Sequence, residues 1–125
     1  MTRRLIGTLA VVAVIVTVLA SPADAHAKLV RADPAPKSVV TVAPKVVRLV
    51  FNEELAPKGS TVTVVDTRGR RVDDGKGRLD LDDLDRKSII VGLKPLAKGR
   101  YTVKWVAVSA DDRFVARGTF SFTIR

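Results

Sequence analysis

The feature that most constrains the fold is a two-residue alternation of apolar and polar side chains, repeated in short runs and broken each time by proline or glycine. Val47, Leu49 and Phe51 share one side of a run whose other side carries Val46, Arg48 and Val50. Successive side chains of an extended chain point to opposite faces, so this is the pattern of a strand with one buried face. Val62 and Val64 alternate with Thr61 and Thr63. Tyr101, Val103, Trp105 and Ala107 alternate with Thr102, Lys104 and Val106, and Phe120, Phe122 and Ile124 with Thr119, Ser121 and Thr123. The breakers are Pro34 and Pro36, Pro57 to Gly59, Gly69, Gly75 to Gly77, and Pro95 to Gly99. Short strands at this spacing predict an all-β sandwich or barrel. No stretch beyond residue 25 sustains a 3.6-residue apolar period; Leu79 to Leu84 has room for one turn at most.

The first 25 residues follow a different logic. Arg3 and Arg4 precede an apolar run from Leu5 to Ala20, and Ser21-Pro22-Ala23-Asp24-Ala25 leads to His26. A basic end, an apolar stretch and an A-x-A site in that order predict a secretory signal peptide over 1–25, cleaved after Ala25. The run is 16 residues and contains Gly7, short of the ~20 apolar residues a spanning helix needs. The mature chain is therefore expected in the periplasm or outside the cell envelope, with no transmembrane segment, and its first residue is the protein's single histidine.

Residues 26–125 suit one domain with a modest core, expected to be monomeric. With no cysteine, disulfides and thiolate chemistry are excluded, and stability must come from packing and sheet hydrogen bonds. Without Arg3, Arg4 and Asp24 the chain keeps 20 basic and 12 acidic residues, a net charge of +8. That charge favours anionic surroundings and says nothing about fold. Nucleic acid is not expected as a partner, because the aromatics fall mostly on apolar strand faces rather than on an exposed stacking platform. Hydrolysis through an activated serine lacks a base beyond the terminal histidine, and no glycine-rich phosphate loop is present.

Trimming would give His26 a free α-amine beside its own imidazole Nδ1, a nitrogen pair that suits Cu(II) with carboxylates completing the plane. The amine binds only when deprotonated, so affinity should fall as pH is lowered. Read alone, the residue is more simply an ordinary polar chain end. Asp111 and Asp112 close a strand in a polar turn, where an aspartate either donates oxygen to a metal or accepts backbone hydrogen bonds. Glu53 and Glu54 follow Phe51 and are open to the same two readings. Asp80 to Asp85 is rich in aspartate but lacks the glycine and distal glutamate of an EF-hand loop, and reads as a solvated loop.

Taken together, the two ends of the mature chain resemble the CopC family of bacterial copper-resistance proteins. At the start, the resemblance lies in His26-Ala27-Lys28-Leu29, Asp33-Pro34-Ala35, Pro44 and Val47-Arg48-Leu49-Val50-Phe51-Asn52-Glu53. At the end it lies in Gly99-Arg100-Tyr101-Thr102-Val103-Lys104-Trp105, Val108-Ser109-Ala110-Asp111 and Gly118-Thr119-Phe120-Ser121-Phe122. The resemblance implies a single Greek-key β-sandwich over 26–125, immunoglobulin-like or cupredoxin-like in appearance, which binds copper. It further implies His26 and Asp111 as metal ligands with Glu53 nearby, one Cu(II) ion, and a membrane copper transporter as a candidate partner.

The sequence departs from the family where the late turn normally reads Ser-Ala-Asp-Gly-His; here it reads Ser109-Ala110-Asp111-Asp112-Arg113. Arginine has no lone pair to donate, and its positive charge opposes a divalent cation, so reduced copper affinity is expected. A methionine-rich Cu(I) site is not expected, since the sole methionine is Met1. Three functions follow in order of preference: a copper-binding protein without enzymatic activity, a sandwich that has lost strong copper binding and acts as an interaction module, and a copper monooxygenase.

Overall fold

In a computed structural model, the described part of the chain is residues 26–125 together with Ala13. The expected signal peptide, with its apolar run and its Ala23 and Ala25 motif, lies outside the described residues. Eight strands follow in order: β1 (Leu29–Asp33), β2 (Val39–Val40), β3 (Val46–Phe51), β4 (Thr61–Val65), β5 (Arg78–Leu79), β6 (Ser88–Gly92), β7 (Gly99–Val108) and β8 (Val115–Ile124). They form two four-stranded sheets, ordered β1-β3-β6-β5 and β2-β8-β7-β4. The result is a β-sandwich rather than a closed barrel, and no helix occurs among the described residues. Consecutive strands stay in one sheet only from β5 to β6 and from β7 to β8, so most pairing is non-sequential.

The alternation correctly assigns the inward faces. Val47, Leu49 and Phe51 of β3, Val62 and Val64 of β4, Tyr101, Val103 and Ala107 of β7, and Phe122 and Ile124 of β8 are all buried. Among the described residues, the buried apolar side chains run from Ala27 to Ile124. β6 escaped the periodicity because Ile89, Ile90 and Val91 form a short continuous apolar run; it lies between β3 and β5, with Ile89 and Val91 fully buried and Ile90 half-buried. Such a run does not declare its secondary structure from pattern alone.

At the middle of the β7–β8 hairpin, Trp105 opposes Gly118. The indole meets Phe51 edge-on at 5.0 Å and 72°. A Cβ built on Gly118 would lie 2.3 Å from Trp105 Cζ2, so the absence of a side chain there is what lets the indole lie against the strand.

The segment read as a solvated loop is more ordered than that. Asp80 is buried and takes a 2.6 Å ion pair from Arg48, while Asp83 accepts from the Lys87 and Asp85 amides and from the Ser88 hydroxyl. Asp80 and Asp83 are thus engaged within the protein, one by Arg48 and the other by the turn's own donors.

Candidate metal centre

The sandwich gathers three segments at one end. At the first, the start of β1 pairs with the end of β3, Leu29 opposite Phe51. The pairing continues past the strands: the Lys28 amide donates to Asn52 Oδ1 at 2.8 Å, and the Asn52 amide donates to the Lys28 carbonyl at 3.1 Å. His26 is thereby held two residues from this clasp rather than on a free tail.

The second segment is the exit of β3. Leu55 bridges Ser109 in antiparallel fashion, with the Ala56 amide donating to the Val108 carbonyl at 2.7 Å and the Ala110 amide to the Glu54 carbonyl at 3.0 Å. Glu53 is half-buried here, and its Oε1 accepts a short hydrogen bond from the hydroxyl of the fully buried Ser109.

The third segment is the turn from β7 to β8. The Arg113 amide donates to the Ser109 carbonyl at 3.0 Å, and the Ser109 amide to the Phe114 carbonyl at 2.9 Å. Asp112 Oδ1 accepts from the Phe114 amide at 3.0 Å, which is the backbone-accepting role an aspartate takes in such a turn. Arg113 has φ 63° and an exposed side chain in no ion pair with Asp112. Asp111 is exposed and is not drawn into the turn's hydrogen bonds.

These segments meet through His26. Its imidazole stacks on the phenyl ring of Phe114 with centroids 3.4 Å apart and planes 22° from parallel. The available lone pair of a neutral imidazole lies in the ring plane on its unprotonated nitrogen, so a ring covering one face leaves that nitrogen able to bind a metal. Sequence reasoning missed Phe114 and Ser109. Phe114 sits at an outward position of a turn, and Ser109 is a common residue whose burial only the β3–β7 contact creates.

The structure brings His26, Glu53 and Asp111 to the same end of the molecule but does not join them into one cluster. Among the described residues no three His, Cys, Asp or Glu side chains form a group able to hold a metal ion. Two chemical features bear on the candidate donors. In the full chain the His26 nitrogen is an amide bonded to Ala25, which is no metal donor until that bond is cut, and the Glu53 carboxylate is engaged by Ser109.

Comparison with known proteins agrees on one group. The model of the CopC domain family matches residues 29–125. The chain is 34% identical over 119 residues to copper resistance protein C of Xanthomonas campestris pv. juglandis, an alignment that covers 92% of each protein. It is 33% identical over 100 residues to copper transport protein CutJ of Bacillus subtilis (strain 168), covering 80% of this chain and 18% of that one. Among solved structures, CopC from Methylosinus trichosporium OB3b superposes with a TM-score of 0.67 at 29% identity, over 79% of this chain and 93% of that chain. PcoC, a methionine-rich copper resistance protein from Escherichia coli, superposes with a TM-score of 0.61 at 29% identity, over 80% and 99%.

Proposed function

The chain belongs to the CopC family, and from that premise we propose that it is an exported copper-handling protein which, once trimmed to begin at His26, carries one Cu(II) ion. The α-amine and imidazole of His26 would chelate the cargo, Asp111 would supply a carboxylate, and Glu53 would stand behind them on its Ser109 hydrogen bond. The observation that carries the reading is the His26–Phe114 stack, because it ties the chain's only histidine to the turn that bears Asp111. The relatives reported above are named as copper resistance and copper transport proteins, and none is named as an enzyme. A membrane copper transporter is the proposed recipient.

Binding of this kind is weaker than with two histidines, since Arg113 occupies the position of the second. It is also pH-dependent: an α-amine titrates at about 7.7–8.0 when unperturbed, so metal and proton compete and affinity falls below that range. One observation favours a second reading, in which the sandwich has kept its shape and lost copper: no three-residue metal group exists among the described residues. One experiment decides between them. Residues 26–125 with a free amine at His26 are titrated with Cu(II) and examined by EPR, beside the same domain carrying one extra N-terminal glycine and beside Asp111→Ala. The proposal expects nitrogen-coordinated Cu(II) in the first, and a large loss of affinity in both others. An unchanged affinity on blocking the amine refutes the chelate, and no binding by the first sample establishes the second reading.

A further inference from the structure

The sheet β2-β8-β7-β4 contains no aspartate or glutamate in any strand. Because side chains alternate, the aromatics of β7 and β8 go inward, and the outer face carries Arg100, Lys104 and Arg117 among threonine and serine hydroxyls, with Val65, Val106 and the exposed Val39 and Val115 sharing that side. Lys104 lies opposite Thr63 on one side and Thr119 on the other. With Thr61 and Arg117 these line a shallow depression of about 460 Å³. Lys104 and Arg117 are in no ion pair among the described residues. Where β4 ends and β7 begins, Arg68, Arg70 and Lys98 join Arg100. The one acid there, Asp66, is turned back onto the Arg68 and Arg70 amides at 2.9 and 3.0 Å.

The opposite side of the sandwich is mixed in charge. Beside β3 and β6, Asp80, Asp82, Asp83 and Asp85 line a depression with Arg31, Arg48 and Lys87. Carboxylates thus accompany the cations on one sheet and are missing from the strands of the other, and such an asymmetry orients a domain in the field of a charged surface.

From this charge distribution we propose that the outer face of β8-β7-β4 docks on the anionic headgroups of a phospholipid bilayer. The face is a continuous strand surface with cations to neutralise phosphates and hydroxyls to hydrogen-bond them. Nucleic acid is disfavoured because Tyr101, Trp105, Phe120 and Phe122 all sit at inward positions of β7 and β8 and leave no ring for bases to stack on. Docked this way, the turn at 109–114 lies at the perimeter of the contact, so anything held there rides beside the membrane. The inference does not depend on copper binding.

The test uses residues 26–125 and co-sedimentation with vesicles of phosphatidylcholine alone or mixed with phosphatidylglycerol. Binding is expected only to the anionic vesicles, and it weakens from about 0.1 M to about 1 M salt as the screening length falls from about 10 Å to about 3 Å. Lys104→Glu with Arg117→Glu should lower partitioning by roughly thirtyfold or more. Arg31→Glu with Lys45→Glu makes the same change in net charge on the other sheet and should leave it near the native value. Lys104→Gln with Arg117→Gln, checked by circular dichroism, serves if the reversal unfolds the domain. Equal losses from both reversed pairs, equal binding to both vesicle types, or tighter binding to duplex DNA at matched salt would each overturn the proposal.

Discussion

Replacing Phe114 with alanine tests whether the ring that covers His26 is part of the copper site. The rings are in contact, at 3.4 Å between centroids and 22° between planes. Aromatic pairs of this kind contribute about 0.5–1.5 kcal/mol beyond the area they bury. Without the ring the His26 side chain regains rotamers that metal binding must then freeze, at a cost in the same range. Phe114→Ala should therefore weaken Cu(II) binding by about 2- to 12-fold. Stability should change by less than about 1 kcal/mol, because the side chain is 42% exposed and both turn hydrogen bonds of this residue run through its backbone. Phe114→Leu keeps an apolar group without a flat face and should fall between. The assay is a competition titration against a chelator of known affinity, on the domain that begins at His26. If Phe114→Ala binds copper as tightly as the native domain, the stack is incidental; if it binds more tightly, the ring obstructs the metal, and the in-plane donor argument fails.

Gly118→Ala forces a Cβ to 2.3 Å from Trp105 Cζ2, so it should cost about 1–3 kcal/mol as overpacking, read by denaturant unfolding followed on the single tryptophan. Burial pushes the Asp73 carboxyl up, but the Arg71 guanidinium and the Val64 and Gly75 amides outweigh it and hold it below the usual carboxylate range. Its contribution is then fully present above the unfolded pKa of about 3.9 and is lost as pH falls through the lower folded value. Asp73→Ala should cost about 2–4 kcal/mol near neutral pH, by stranding the buried Val64 amide, and should flatten the acid limb of a stability-against-pH curve; a limb as steep as the native one would refute this assignment. Ser109→Ala removes the donor to Glu53 and should cost about 1–2 kcal/mol in thermal or denaturant unfolding. Copper affinity should hold or rise in that variant, and a marked fall would mean that the hydroxyl positions Glu53 for the metal.

Inward faces were legible because alternation is a local property: Val47, Leu49 and Phe51 declare their side of β3 whatever strand lies beside it. His26 was legible for the same reason, since its place after an A-x-A site is written in consecutive residues. The turn acids were legible only as a pair of options, and the local geometry of the turn separated them, giving Asp112 to the Phe114 amide two residues on while Asp111, equally exposed, stays out of that bond.

By itself, then, the sequence determined an all-β chain, the sides of its strands, its lack of cysteine chemistry, and Arg113 where a second histidine is usual. Only the tertiary structure decided that Ser109 faces Glu53 across 56 residues, that Arg48 finds Asp80 across 32, and that Phe114 lies against His26. The physical reason is that alternation fixes which way a side chain points, whereas the choice of neighbour depends on strand order. Strand order is set by how two sheets bury their faces against each other, and no short window of sequence carries that information.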